Sequence, residues 1–200
     1  MGLRPTKPIC DFPPQWSAPQ TGTAAVIRTT IKPMRLIAIL TLLTAAVAFA
    51  ATKGATADLK DAQGKDVGVL KLKAVKDGVQ ISGKLTGLPD GVHALHIHQV
   101  GTCTAPDFKS AGPHFNPEHK QHGDLNPQGH HAGDLPNINA AKGAAKIKVL
   151  AKGVTLADTG DNSLFHAGGT SLVVHAKEDD RKTDPAGNAG DRIACGVITK

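Results

Sequence analysis

The chain has 200 residues, 23 of them Lys or Arg against 17 Asp or Glu, a formal net charge of +6, and only 3% aromatic residues. Five of the basic residues and one of the acidic ones lie ahead of residue 51, so the rest carries 18 against 16, a net charge of +2. That near balance removes the case for a nucleic-acid partner, and the length leaves room for one domain of about 150 residues.

Residues 1–33 are rich in proline, lack a periodic apolar pattern and read as a spurious or unstructured leader, with Met34 as the true start. Residues 34–50, MRLIAILTLLTAAVAFA, combine one arginine, a long apolar run and a small-x-small ending, the pattern of a secretory signal peptide. The apolar core from Leu36 to Ala48 is too short for a comfortable membrane span, and Ala48-Phe49-Ala50 offers a cleavage site before Ala51. The expected product is residues 51–200, periplasmic or secreted, with no stable membrane span. Cys10 leaves with the leader. Cys103 and Cys195 remain, an even number in a compartment that permits oxidation, and they are expected to be bridged. Closing a loop of that size stabilises by about 4–5 kcal/mol in the chain-entropy model.

Strand and turn signals then alternate. ATADLKD is followed by AQGK, DVGVLKLKAV alternates apolar and polar residues, and KDG turns the chain into VQISGKLTGL. PDG leads into a histidine-bearing strand, and AAKIKVLA, SLVVHA and RIACGVI come later. No convincing 3.6-residue apolar period occurs after residue 50, so the fold class is all-β, an antiparallel sandwich or barrel. Phe108, Phe115 and Phe165 are the aromatic residues of this part, which leaves the core to valine, isoleucine, leucine and alanine. Residues 101–142 and 177–191 are long loop-like segments, a length that marks function or disorder.

In HALHIHQVGTC the period of two puts His96 and His98 on one strand face and Leu95 and Ile97 on the other, with His93 on the apolar side. Two imidazoles side by side suit a metal, and they also occur on ordinary solvated strands. Ser110 to Asn137 adds five histidines and two aspartates in a loop that cannot bury so many imidazoles unpaired. Three histidines with one aspartate read as a closed zinc site, and imidazoles alone suit copper.

HIH at 96–98, AGPHFNP at 111–117, HHAGDLPN at 130–137, LVVHA at 172–176 and GNAGDRIACGVI at 187–198 together resemble copper,zinc superoxide dismutase in its exported bacterial form. The resemblance runs from about Ala55 to Ile198. It implies a Greek-key antiparallel β-sandwich, or flattened eight-stranded barrel, with two long functional loops. It makes His96, His98, His114 and His175 ligands of a copper ion, and His114, His122, His131 and Asp134 ligands of a zinc ion, with His114 bridging the two and acting in catalysis. Asp179 matches the carboxylate behind His96 and His122. Arg192 matches the catalytic arginine at the copper channel, and Cys103 and Cys195 match the family disulfide. The implied reaction disproportionates superoxide, a small anion, to dioxygen and hydrogen peroxide, protecting the cell envelope from oxidants.

His93 reads as a strand-end residue near a turn and His166 as structural. His119 and His130 flank the matched ligands and are rivals for single positions, with the spacing to Asp134 favouring His131 over His130. Asp124 and Asp180 read as solvated loop charges, and Lys177, Arg181 and Lys182 as candidates for drawing anions inward. Ala186 stands where animal cytosolic relatives carry a threonine, which predicts a wider opening. A homodimer is compatible with the sequence, as is a monomer, and nothing in it identifies a copper donor. The rival reading is a non-catalytic exported module that holds copper or zinc on the same fold.

Overall fold

The computed structural model describes residues 54–200, so the leader and signal-peptide segments lie outside the described residues. Nine strands follow in order: β1 (Gly54–Asp61), β2 (Asp66–Val75), β3 (Gly78–Thr86), β4 (Gly91–His93), β5 (Leu95–His98), β6 (Ile138–Ala140), β7 (Ala144–Lys152), β8 (Ser171–His175) and β9 (Arg192–Thr199). Besides them there is one short 3-10 turn at Lys109–Ala111, and among the described residues no helix is long and apolar enough to cross a membrane.

Every pairing is antiparallel. Seven strands form one sheet in the order β5-β8-β9-β1-β2-β3-β7, and β4 pairs with β6. Only Ala94 separates β4 from β5, so they are two halves of one bent strand and the strands number eight when counted as continuous runs. The bend carries the β5 edge over to β6, and β6 turns through Ala141 and Ala144 into β7 at the opposite edge. The sheet thereby curls until its two edges are linked, the Greek-key arrangement expected from the resemblance, and few edge hydrogen-bonding groups are left open.

The period-two pattern explains the inside. Leu70 and Leu72 on β2, Val79 and Ile81 on β3, Ile97 on β5, Ile147 on β7 and Leu172 and Val174 on β8 are buried in one aliphatic cluster. Full burial of such a side chain contributes about 1.5–3 kcal/mol. Phe115 closes one end of it, whereas Phe108 packs on the other face of the sheet with Ala111, Val173 and Cys195. The disulfide Cys103–Cys195, with Cα atoms 5.6 Å apart, fastens the first long loop to β9 beside that second cluster.

Two findings differ from the expectation. β6 lies inside the segment 101–142, where the sequence showed only loop, because three residues are too few for alternation to register. His96 and His98 are fully buried, although the parity argument put them on an outer surface. The loop itself covers them. Its backbone pairs along the free edge of β5, where Phe115 N–H donates to Ile97 O, Ile97 N–H to Gly133 O and Gln99 N–H to Pro113 O, all at 2.9–3.0 Å.

Candidate metal centre

This edge pairing assembles the site. His98 stands opposite His114, and His96 opposite Asp134, as isolated bridges of the same antiparallel type. Side chains that share a face of β5 are thereby matched with loop side chains at the close spacing of cross-strand neighbours. From the adjacent strand β8 comes His175, whose strand pairs with β5 on one side and β9 on the other. Two donor groups result, His96, His98, His114 and His175, and His114, His122, His131 and Asp134, each with its donor atoms within 4.8 Å of one another.

Hydrogen bonds behind the rings decide which nitrogen faces inward. His98 Nδ1 donates to Gly112 O at 2.8 Å and His175 Nδ1 to Gly190 O at 3.3 Å, which turns both Nε2 atoms, 3.4 Å apart, toward the first group. His96 Nε2 donates to Asp179 Oδ2 at 2.8 Å and leaves Nδ1 facing in. In the second group, His114 Nδ1, His122 Nδ1 and His131 Nδ1 lie 2.9, 3.0 and 3.2 Å from the single oxygen Asp134 Oδ1. Asp134 Oδ2 is held by the backbone N–H groups of Gly123 and His131. The His114 ring is thus divided, Nδ1 toward Asp134 and Nε2 toward the first group.

Asp179 ties the groups together from behind. It accepts from His96 Nε2 on one oxygen and from His122 Nε2 at 2.9 Å on the other. Its backbone is clamped by Asn137, which accepts from Asp179 N–H and donates to Asp179 O, both at 2.9 Å. Sequence reading missed this clamp, although Asn137 closes the HHAGDLPN motif. It also missed Asp184, which accepts from His122 N–H at 2.7 Å and lies 3.8 Å from His131 Nε2.

Burial pushes His114 and His175 down to about 4, and burial beside the His114 ring and the Arg192 guanidinium holds His98 well below the usual range. These rings are neutral at neutral pH, the form that offers a lone pair. For His122 burial alone would act the same way, but Asp134 and Asp179 raise it to about 9. Burial would raise Asp134, and the donors from His114, His122, His131 and Gly123 instead keep it far below the carboxylate range.

His96 Nδ1 and His114 Nε2 are buried without a hydrogen-bond partner, a state that costs about 1–3 kcal/mol per group unless something binds there. Four inward imidazoles fit copper, and three imidazoles with a carboxylate fit zinc.

Arg192 begins β9 opposite His175 and is half-buried. Its guanidinium donates to Phe108 O at 2.7 Å and to Gly112 O at 2.8 Å, so it shares the Gly112 carbonyl with His98.

The model of the family described as copper/zinc superoxide dismutase (SODC) matches residues 67–198. The chain belongs to that family. Cu-Zn superoxide dismutase 1 of Aquifex aeolicus is 51% identical over 144 residues, 71% of this chain and 85% of that one. Cu-Zn superoxide dismutase of Caulobacter vibrioides is 47% identical over 147 residues, 72% and 84% of the two chains. The crystal structure of a superoxide dismutase-like protein from Bacillus subtilis superposes with a TM-score of 0.69 at 36% identity, covering 74% of this chain and 99% of that one.

The remaining histidines of this family member lie outside the donor groups. His93 is buried between His175 O and Pro89 O, His130 bonds to His131 O, and His166 stacks on Phe115 at 5.4 Å. His119 is exposed on a left-handed turn. Asp124 and Asp180 are exposed loop charges, each with partners within the loops. Asp124 takes both ends of the Arg181 guanidinium, and Asp180 accepts from Lys182 N–H, Thr183 N–H and Asn188. Arg181 is thereby committed to a loop contact, whereas Lys177 and Lys182 stay exposed.

Proposed function

We propose that this protein disproportionates superoxide to dioxygen and hydrogen peroxide with copper held by His96, His98, His114 and His175 and zinc held by His114, His122, His131 and Asp134. The division of the His114 ring between two donor groups is the observation that carries this reading. Copper supplies the one-electron couple when bound, and zinc a cation without redox chemistry.

The chain's own residues do the rest. With zinc held on its Nδ1 side, His114 would have only Nε2, on the side of the first group, to carry a proton that an arriving anion could take. Arg192 offers a permanent charge whose direction is fixed by Phe108 O and Gly112 O, which suits docking of a small anion. Asp179 holds His96 and His122 in the tautomers that point inward.

The domain boundaries proposed are a leader at 1–33, a signal peptide at 34–50 cleaved near Ala50, and the catalytic domain at 51–200, periplasmic or secreted. A disulfide within the described residues, and relatives that include bacterial enzymes and an extracellular Cu-Zn enzyme of Brugia pahangi, support export.

A storage module would need neither the fourth imidazole of His175 nor the guanidinium of Arg192, which disfavours the non-catalytic reading. Pulse radiolysis of protein loaded with both metals tests the activity. Superoxide decay should become first order in enzyme, and stoichiometric metal binding without faster decay would refute the reading.

A further inference from the structure

The outer face of β2, β3 and β7 is a second functional feature. Outward residues on β2 are Asp66 at its start, then Val69, Lys71, Lys73 and Val75, on β3 Gln80, Ser82 and Lys84, and on β7 Lys146, Lys148, Leu150 and Lys152. The register brings these cations together. Lys84 faces Lys146 directly, Lys71 and Lys148 flank Ser82, and Lys73 and Leu150 flank Gln80. With strands about 4.8 Å apart and outward residues about 6.8 Å apart along each, six lysines occupy a patch of about 10 by 20 Å.

Asp66, at the start of β2, is outward and pairs with Lys60 of β1; no other acidic residue stands on these three strands' outward positions, and none of the six lysines makes an ion pair among the described residues. Asp58 of β1 stands opposite Val69 on the same face, and Asp124 lines a pocket with Leu150 and Lys152. Like charges directly opposite each other destabilise a sheet, and a face kept merely soluble carries both signs interspersed. From Val69 onward this face carries one sign, with Asp66 at its margin, although the domain as a whole is nearly balanced.

We propose that this face docks on an anionic phospholipid surface. Its chemistry selects a bilayer over other polyanions. The cations are all lysines, flexible point charges without the bidentate fork that reads a single phosphate. No aromatic side chain on the face could stack a base or a sugar ring. Val69 and Val75, exposed on the same strand, can rest against the headgroup layer. Six cations fall within the four to eight that mark recognition of anionic lipid.

His96, His98 and His175 of the metal groups stand on β5 and β8, whereas at the β7 margin of the face Leu150 and Lys152 line a pocket with Asp134 and Asp179. The inference rests on the proposed export only for which membrane the protein meets, and its test does not depend on dismutation.

Exported, metal-loaded protein is sedimented with vesicles of phosphatidylcholine alone or with one quarter phosphatidylglycerol. Binding should appear only with the anionic lipid and vanish in 1 M salt, where the screening length is about 3 Å. At about fivefold per lysine, the triple variant Lys71→Gln, Lys84→Gln, Lys146→Gln should partition about a hundredfold less. A control carrying Lys65→Gln, Lys120→Gln and Lys142→Gln, with the same charge change elsewhere, should bind like the unaltered protein. Thermal unfolding of both variants establishes that they fold. Equal binding to both vesicle types, equal loss in the two variants, or retention on heparin without vesicle binding would overturn the proposal.

Discussion

Gly187→Ala is the sharpest probe of how the two donor groups are braced. Gly187 sits at φ +63°, and a Cβ there would stand 1.8 Å from Asp179 Oδ1, 2.6 Å from its Cγ and 2.7 Å from His122 Nε2. The left-handed backbone costs an alanine about 1–2 kcal/mol. Real Cβ atoms essentially never come closer than 3.0 Å to such atoms, so the carboxylate must also retreat by about 1 Å. Retreat breaks its bonds to His96 and His122 and the 2.6 Å bond from Arg181 N–H. Adding the loss of one or two hydrogen bonds to a charged group brings the destabilisation of the metal-free protein to about 3–5 kcal/mol. Since His96 and His122 serve different groups, both metal affinities should fall, by about 10–100-fold each. Gly64→Ala supplies the control, because Gly64 has φ +78° with nothing within 4 Å of its Cβ, so only the backbone term applies. Urea unfolding of the metal-free proteins and chelator competition for zinc and copper separately give the readings. Equal losses of stability in the two variants, with affinities unchanged in Gly187→Ala, would show that Asp179 does not brace the rings.

Replacing Arg192 by Gln should lower the rate constant and flatten its dependence on ionic strength while both metals stay bound; a preserved rate would remove its docking role. Zinc binding at pH 7.5 should expel about one proton, because His122, held up to about 9, must lose its proton to ligate, and calorimetry in two buffers of different ionisation enthalpy measures it. The metal-free fold should be most stable near pH 6.5. His114 and His175, lowered to about 4, contribute stability that is lost as pH falls from about 6.5 through 4, whereas the contribution of His122 is lost as pH rises through about 9. Cys103→Ser should cost up to about 4–5 kcal/mol in chemical denaturation and slow turnover, since the fastened loop supplies the carbonyls that aim Arg192.

Most strands were legible because β3 and β7 alternate over nine residues each and β2 does so from Leu70 onward. β6 was not, being three residues long and specified by its partner β4. The donor residues stood out as histidines crowded into a loop, and their grouping followed from family resemblance more than from spacing. What the sequence could not reveal was the enclosure. Burial of His96 and His98 arises from loop backbone pairing with β5, and a backbone hydrogen bond leaves no mark in side-chain pattern. The roles of Asn137, Asp184 and the Gly112 carbonyl were hidden for the same reason, because they act through positions that only the folded loops bring together.

The aliphatic interior has a chemical consequence. Residues 54–200 contain no methionine, tryptophan or tyrosine, and their two cysteines are joined to each other. Hydrogen peroxide leaving the vicinity of His114 therefore meets no thioether and no thiolate, the groups it attacks most readily. The fold is hardened against its own product by what it omits, and that endurance was settled when leucine, isoleucine and valine were used to fill the barrel.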